Sequence, residues 1–279
     1  MLIRCHGARG SIPVSGTEYV KYGGDTTCLE IRSKNDDIII VDAGSGIRRL
    51  GNRLIEEGRF QFHLIFTHSH LDHILGFPFF APIYHEKAGI HLMGCPTTQG
   101  NIKRLLGKAM STPLFPIPFE TLPSTIDYDV DCRLSFRVDS IEIFPINLNH
   151  PNGGMGYKFV EDGKSFVFLT DNELGFRHRN GKSFEDYVEF SKDADLLIHD
   201  SEYSLKEYEM TRGWGHSTYS DALRLAQASK VKTFGLFHHN QNRSDEAQDA
   251  ILEECRCEIA DRKLDIHCFA LTQTDVLSL

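Results

Sequence analysis

Seven consecutive residues, T-H-S-H-L-D-H at 67–73, place three histidines and an aspartate directly after the apolar run F-H-L-I-F at 62–66. The run reads as a buried strand. Imidazoles are costly to crowd unless something holds them together, and a metal ion does so. On a short loop leaving a strand, His68 and His70 can point the same way, while Asp72 and His73 lie on the next turn and face a neighbouring position. One four- or five-coordinate ion does not easily take four ligands from six consecutive residues. Two ions a few ångströms apart can, provided that each finds further ligands elsewhere and something bridges the pair.

Candidates for those ligands stand at strand ends. His150 follows I-N-L-N, Asp171 ends F-V-F-L-T, and His238 ends F-G-L-F. A single polar residue after a strand is more often a turn residue. The same placement repeated at three apolar runs marks a rim where sheets open into a pocket.

The rest of the chain alternates short apolar runs with turn signals. Residues 2–5, 27–31 and 37–41 read as strands, and the last leaves through D-A-G-S-G into a helix over 48–57. A strand is expected at 90–93 and a helix at 98–110. Four prolines in S-T-P-L-F-P-I-P-F-E-T-L-P at 111–123 forbid helix and central strand, leaving an ordered loop. Strands are expected at 133–138, 141–148, 156–160 and 165–170, with Asp162-Gly163 as the hairpin turn between the last two. The final third reads strand 196–199, helix 217–228, strand 233–237, helix 245–262 and strand 266–271. No repeat, low-complexity tract or linker interrupts this, so a single domain over 1–279 is expected. Each half has strands first and helices after, which predicts an α/β fold built as a four-layer αββα sandwich.

A composition of 41% hydrophobic and 25% charged residues supports a sizeable core. The formal net charge of −9 argues against a protein that grips long nucleic acid, because that grip comes from Lys and Arg. It does not exclude a small anionic substrate, since bound cations make a site locally positive. Seven cysteines without framework spacing read as reduced thiols. The start M-L-I-R-C-H-G lacks a signal-peptide pattern, and no apolar run approaches the roughly 20 residues of a membrane span. A cytoplasmic protein with no membrane partner is the expectation.

Several segments together carry a resemblance. They are G-A-R-G-S-I-P near the start, I-I-I-V-D-A-G-S-G at 38–46, T-H-S-H-L-D-H, N-H-P at 149–151, F-L-T-D-N at 168–172, L-I-H-D-S-E-Y at 197–203, G-H-S-T at 215–218 and L-F-H-H at 236–239. On these the chain resembles the metallo-β-lactamase-fold hydrolases across nearly its whole length. More narrowly, it is similar to their phosphodiesterase branch, which includes ribonuclease Z and the small cyclic-phosphate and cyclic-nucleotide phosphodiesterases.

The resemblance implies a ligand set. His68, His70 and His150 take one metal; Asp72, His73 and His238 take the other; Asp171 bridges, helped by a water or hydroxide. His238 is preferred to His239 because it directly follows its strand. The cofactors implied are two divalent metal ions, zinc by default, with manganese, iron or nickel open. Asp42, also at a strand end, would hold loop backbone or a ligand histidine by hydrogen bonds.

The function implied is a dinuclear phosphodiesterase acting on a small phosphodiester, with a cyclic nucleotide as one candidate. A hydroxide shared by the ions attacks phosphorus. His216, with a pKa near neutrality, assists the leaving group, and Asp72 helps to move the proton. Phe115, Phe119 and Trp214 are candidate pocket aromatics, though a packing role suits the Pro-rich loop better. Three alternatives stand beside this reading: a nuclease on tRNA or short RNA or DNA, a lactonase or other carboxylic-ester or amide hydrolase, and a non-catalytic nucleotide sensor. Only about twenty residues separate His150 from Asp171, enough for a hairpin but not for the tRNA-holding arm that ribonuclease Z commonly carries there. Relatives often dimerise, so a homodimer is open.

Overall fold

The structure is a computed structural model, and it describes residues 1–93, 102–129 and 133–279. Two seven-stranded sheets form the body. The first holds β1 (Leu2–Gly7), β2 (Cys28–Arg32), β3 (Ile38–Val41), β4 (Gln61–Ile65), β5 (Gly89–Met93) and β6 (Thr125–Asp129), with β14 (Val276–Ser278) returning beside β1. The second holds β7 (Phe136–Val138), β8 (Ile141–Asn147), β9 (Met155–Glu161), β10 (Lys164–Leu169), β11 (Leu196–Asp200), β12 (Thr233–Phe237) and β13 (His267–Ala270). β1 to β3 and β7 to β10 pair antiparallel; β3 to β6 and β10 to β13 pair parallel.

Side-chain alternation explains why the central strands are apolar throughout. Successive residues of a strand face opposite sides. On β3, Ile39 and Val41 enter the core between the sheets, whereas Ile38 and Ile40 face helices. On β10, Phe166 and Phe168 face the other sheet, whereas Val167 and Leu169 face helices. Both faces being buried, each strand reads as a continuous hydrophobic run. Helices α1 (Ile47–Glu56), α2 (Leu71–Ile74) and α3 (Ile102–Ala109) cover the first sheet. Helices α4 (Phe184–Ser191), α6 (Tyr219–Ala228) and α7 (Asp245–Asp261) cover the second, and α5 (Leu205–Thr211) lies on the surface with no buried residue. The layers run helix, sheet, sheet, helix, which is the four-layer α/β sandwich that the sequence implies.

Differences from the sequence reading have local causes. The expected helix at 98–110 is seen from Ile102, and residues 98–101 lie outside the described residues. The expected strand at 133–138 is short, Phe136–Val138. Helix α6 starts at Tyr219 rather than 217 because Thr218 caps it, its side chain accepting from Asp221 N. In the Pro-rich stretch, Phe119 is buried and stacks on Phe77 with ring centroids 6.0 Å apart, so it packs. Trp214 is exposed. The described cysteines, Cys5, Cys28, Cys255, Cys257 and Cys268, are free thiols. Among the described residues no helix is long and apolar enough to cross a membrane.

Candidate metal centre

The carboxyl ends of β3, β4, β8, β10, β11 and β12 open onto one rim. Three of these ends turn in the same way: Asp42, Asp171 and His238 all take left-handed backbone, with φ of 63°, 50° and 58°. Each such turn costs a non-glycine residue about 1 kcal/mol. At each strand end the polar residue so turned is buried. His68 follows β4, His70 sits at the N-terminal boundary of the four-residue α2 without a side-chain cap, and Asp72 and His73 lie on α2 itself.

The seven side chains proposed from sequence converge. Ligand atoms of His68, His70, His150 and Asp171 all lie within 4.8 Å of one another, and so do those of Asp72, His73, Asp171 and His238. Asp171 belongs to both sets, and its two oxygens divide between them. Oδ2 faces His68 Nε2 at 3.4 Å and His150 Nε2 at 3.8 Å. Oδ1 faces His73 Nε2 at 3.2 Å and His238 Nε2 at 3.4 Å. Asp72 Oδ2 stands 3.4 Å from His73 Nε2 and 3.3 Å from His238 Nε2, and accepts from Ser11 N at 2.9 Å. Within the first set, His150 Nε2 is 2.9 Å from His70 Nδ1. His239 turns away, its Nε2 meeting the Leu271 carbonyl at 2.8 Å.

The far nitrogen of most of these rings is held. His73 Nδ1 donates to Asp42 Oδ2 at 2.8 Å, and Asp42 also accepts from Thr67 N at 2.7 Å and Thr67 Oγ1 at 2.6 Å. His238 Nδ1 donates to Glu202 Oε2 at 2.9 Å. His150 Nδ1 donates to the Gly215 carbonyl at 2.9 Å, and His68 Nδ1 meets Thr67 Oγ1 at 3.2 Å. Such contacts fix tautomer and orientation, leaving Nε2 to face inward.

The electrostatics divide the rings. Burial, joined by the charge of His73, drives His68 well below its ordinary pKa, and burial takes His150 down to about 3. Burial also opposes charge on His73 and His238, but Asp171 and the other nearby carboxylates outweigh it and hold both well above the ordinary value. Asp171 and Asp72 lie well below theirs, burial being outweighed for Asp171 by the charges of His238 and His73, and for Asp72 by the charge of His73 and a hydrogen bond from His238. The cluster is thus a buried pair of carboxylates that demands positive charge.

Divalent cations fit that demand. His68 Nε2 and His73 Nε2 are buried without a hydrogen bond among the described residues, and both aim into the cluster toward carboxylate oxygens 3.2–3.4 Å away. Ligands at about 2.0–2.2 Å around one tetrahedral ion stand about 3.4 Å apart. The 3.2–3.8 Å separations around Asp171 bracket that edge length and are long for ion pairs. Imidazole nitrogen and carboxylate oxygen are also the donors that first-row divalent metals take.

A third group adjoins the second set. His216 stacks on His238 with ring centroids 4.7 Å apart. Its Nδ1 donates to Asp200 Oδ2 at 2.8 Å and lies 3.4 Å from Glu202 Oε2. Burial lowers the His216 pKa, but Glu202 and Asp200 outweigh it and raise it to about 9. The sequence suggests a group titrating near neutrality; the two buried carboxylates shift the ring upward, toward its imidazolium form.

Three contributors go unassigned in the sequence reading. Asp200 and Glu202 sit in L-I-H-D-S-E-Y, whose likeness is visible but whose targets are not. Glu173, fully buried, accepts from Gly213 N at 2.6 Å, Gly215 N at 2.8 Å and Tyr208 Oη at 2.7 Å, and meets His178 Nε2 at 2.8 Å. It pins the loop that carries His216.

Comparison with known proteins agrees with this architecture. Residues 38–239 match the family model of the beta-lactamase superfamily domain. Ribonuclease Z of Haloarcula marismortui is 26% identical over 268 residues, covering 80% of this chain and 83% of that protein. Among solved structures, the metallo-beta-lactamase fold protein YhfI from Bacillus subtilis superposes with a TM-score of 0.72 at 15% identity, over 99% of this chain and 98% of that one. Unliganded yeast PDE1 superposes with a TM-score of 0.70 at 16% identity, over 100% and 99%. The short form of human tRNase Z gives 0.63 at 16% identity, over 100% and 99%. At these identities the solved structures speak for the fold alone.

Proposed function

The chain belongs to the beta-lactamase superfamily, and from that premise we propose that it is a metal-dependent phosphoric diester hydrolase cleaving a small phosphodiester. His68, His70 and His150 would hold one cation and Asp72, His73 and His238 the other, with Asp171 shared. One observation carries the two-ion reading: Asp171 turns Oδ2 to one set of imidazoles and Oδ1 to the other. All seven side chains come from one chain, so a homodimer is not needed to complete the site. Zinc is the default on ligand chemistry, with manganese, iron and nickel compatible.

When bound, the ions supply an activated water and positive charge beside the phosphoryl oxygens. The protein's own part is placement and proton traffic. Asp42 and Glu202 orient His73 and His238. Asp200 takes Nδ1 of His216, which leaves Nε2 to face a leaving oxygen and give it a proton. As an imidazolium, His216 also offsets charge building on that oxygen. Asp72 Oδ2 is engaged by Ser11 and two imidazoles, so any proton it carries goes on Oδ1.

The name of the Haloarcula relative favours a second reading, an RNA substrate. Against a large RNA stands the interval from His150 to Asp171, which is filled by the β9–β10 hairpin and carries no inserted arm. Purified protein loaded in turn with each metal should be tested on bis-p-nitrophenyl phosphate, 2′,3′- and 3′,5′-cyclic nucleotides, a lactone and a tRNA precursor. Phosphodiester turnover is expected, falling about 10²–10⁴-fold in His216→Ala with metal content unchanged. Lactone turnover without phosphodiester turnover would overturn the reading.

A further inference from the structure

Beside His150 the surface opens into a cavity of about 360 Å³. One wall is the turn after β8, where Asn152 and Gly153 take left-handed backbone with φ of 65° and 83°. His178, Arg179 and Asn180 also line it. The cavity adjoins the metal cluster: His150 lines both, and a Cβ on the lining residue Gly154 would stand 3.6 Å from His68 Cβ.

The lining suits an anion. Arg179 is the one charged side chain besides the two histidines among the lining residues, and no carboxylate stands with it. Arg177 Nε is committed to the Gly181 carbonyl at 3.3 Å, whereas no hydrogen bond or ion pair holds Arg179 among the described residues. A guanidinium without a carboxylate partner, in a cavity that Asn152 and Asn180 also line, offers the donor fork that a phosphate takes. Glu173 links the cavity to the catalytic loop, because the same buried carboxylate meets His178 on the cavity wall and the backbone of Gly213 and Gly215 on the His216 loop.

We propose that this cavity is a subsite for a second phosphate of the substrate, with Arg179 as its specificity-determining residue. The inference rests on the phosphodiesterase reading and narrows its substrate to phosphodiesters that bear a further phosphate. That phosphate is either a terminal group on a nucleotide or the next internucleotide link of a short single strand.

Thymidine 5′-(p-nitrophenyl phosphate) and its 3′-phosphorylated counterpart differ by that one group. For the metal-loaded enzyme, the KM of the 3′-phosphorylated ester is expected to be lower by about tenfold or more. The KM ratio should fall to about one in Arg179→Ala and recover in part in Arg179→Lys, a pattern that a merely structural role would not produce. Esterifying the 3′-phosphate with a second nucleoside assigns the source. A preference kept on esterification marks an internucleotide phosphate; one lost marks a terminal phosphate. Equal KM values in the wild type, or a ratio that survives in Arg179→Ala, would overturn the subsite. If no phosphodiester is turned over, the enzymatic reading fails by itself, and calorimetry still decides the subsite. Thymidine 3′,5′-bisphosphate should then bind wild type about tenfold more tightly than Arg179→Ala, and equal binding refutes the proposal.

Discussion

The two halves of the cluster are oriented by different chemistry, and replacing the orienting groups should separate them. His68 and His150 lean on neutral oxygens, Thr67 Oγ1 and the Gly215 carbonyl. His73 and His238 each give Nδ1–H to a buried carboxylate, Asp42 and Glu202. Consider Glu202→Gln. Asn240 Nδ2 donates to Glu202 Oε1 at 3.0 Å, so the glutamine oxygen stays there and its NH₂ meets His238 Nδ1. Two donors cannot face one another. The ring must make Nδ1 an acceptor and move its proton to Nε2, the nitrogen turned toward Asp72 and Asp171. Asp42→Asn works in the same way on His73, because Thr67 N fixes the amide oxygen at the Oδ1 position. A hydrogen bond to a charged group is worth ~1.5–3 kcal/mol, or about 10–100-fold in affinity. Calorimetric metal titration, with elemental analysis after dialysis against graded chelator, reads the effect. Wild type should show two binding steps, and each variant should weaken one step by about 10–100-fold while sparing the other. Both steps weakening together, or neither changing, would refute the argument.

Two further predictions concern the frame. In Gly10→Ala the added Cβ would land 2.3 Å from His238 Nδ1, so the ring must shift; one metal is expected to be lost while the thermal transition is retained, and unchanged metal content would contradict this. Glu30 is buried among His6, Arg32 and Arg53; burial raises its pKa, but these partners outweigh it and hold it at about 2 against an ordinary 4.5. A depressed folded-state value stabilises the protein above pH 4.5, here by ~3 kcal/mol, and the gain is lost as pH falls toward 2. The gap in urea midpoint between wild type and Glu30→Gln should therefore narrow from pH 7 to pH 3, and a constant gap would sink the assignment.

The site was legible where chemistry repeats at a structural address. His68, His70, Asp72 and His73 share one loop, and His150, Asp171 and His238 each follow an apolar run. Burial on both faces makes β3, β10 and β11 readable as strands. Elements without that signal escape: α5 buries nothing, β14 is three residues at a sheet edge, and β6 alternates polar with half-buried residues. Helix α4 did carry a sign, the capping box of Ser183 and Asp186. Glu173 carried none, because its partners include backbone N–H groups some forty residues away. Adjacent polar residues show the limit of motif reading. His199 and Asp200 are neighbours on β11, yet the ring of His199 meets Asn172 while Asp200 holds His216. Neighbouring strand residues face opposite ways, and only the folded chain says which face matters.

The proposed phosphodiesterase depends on a pair of cations gathered by Asp171. Protein supplemented with zinc, manganese, iron or nickel and then desalted should retain about two equivalents of at least one metal per chain by elemental analysis, and Asp171→Asn should lower both. A chain that stays empty after every supplementation, or that holds one ion indifferent to Asp171, would contradict it.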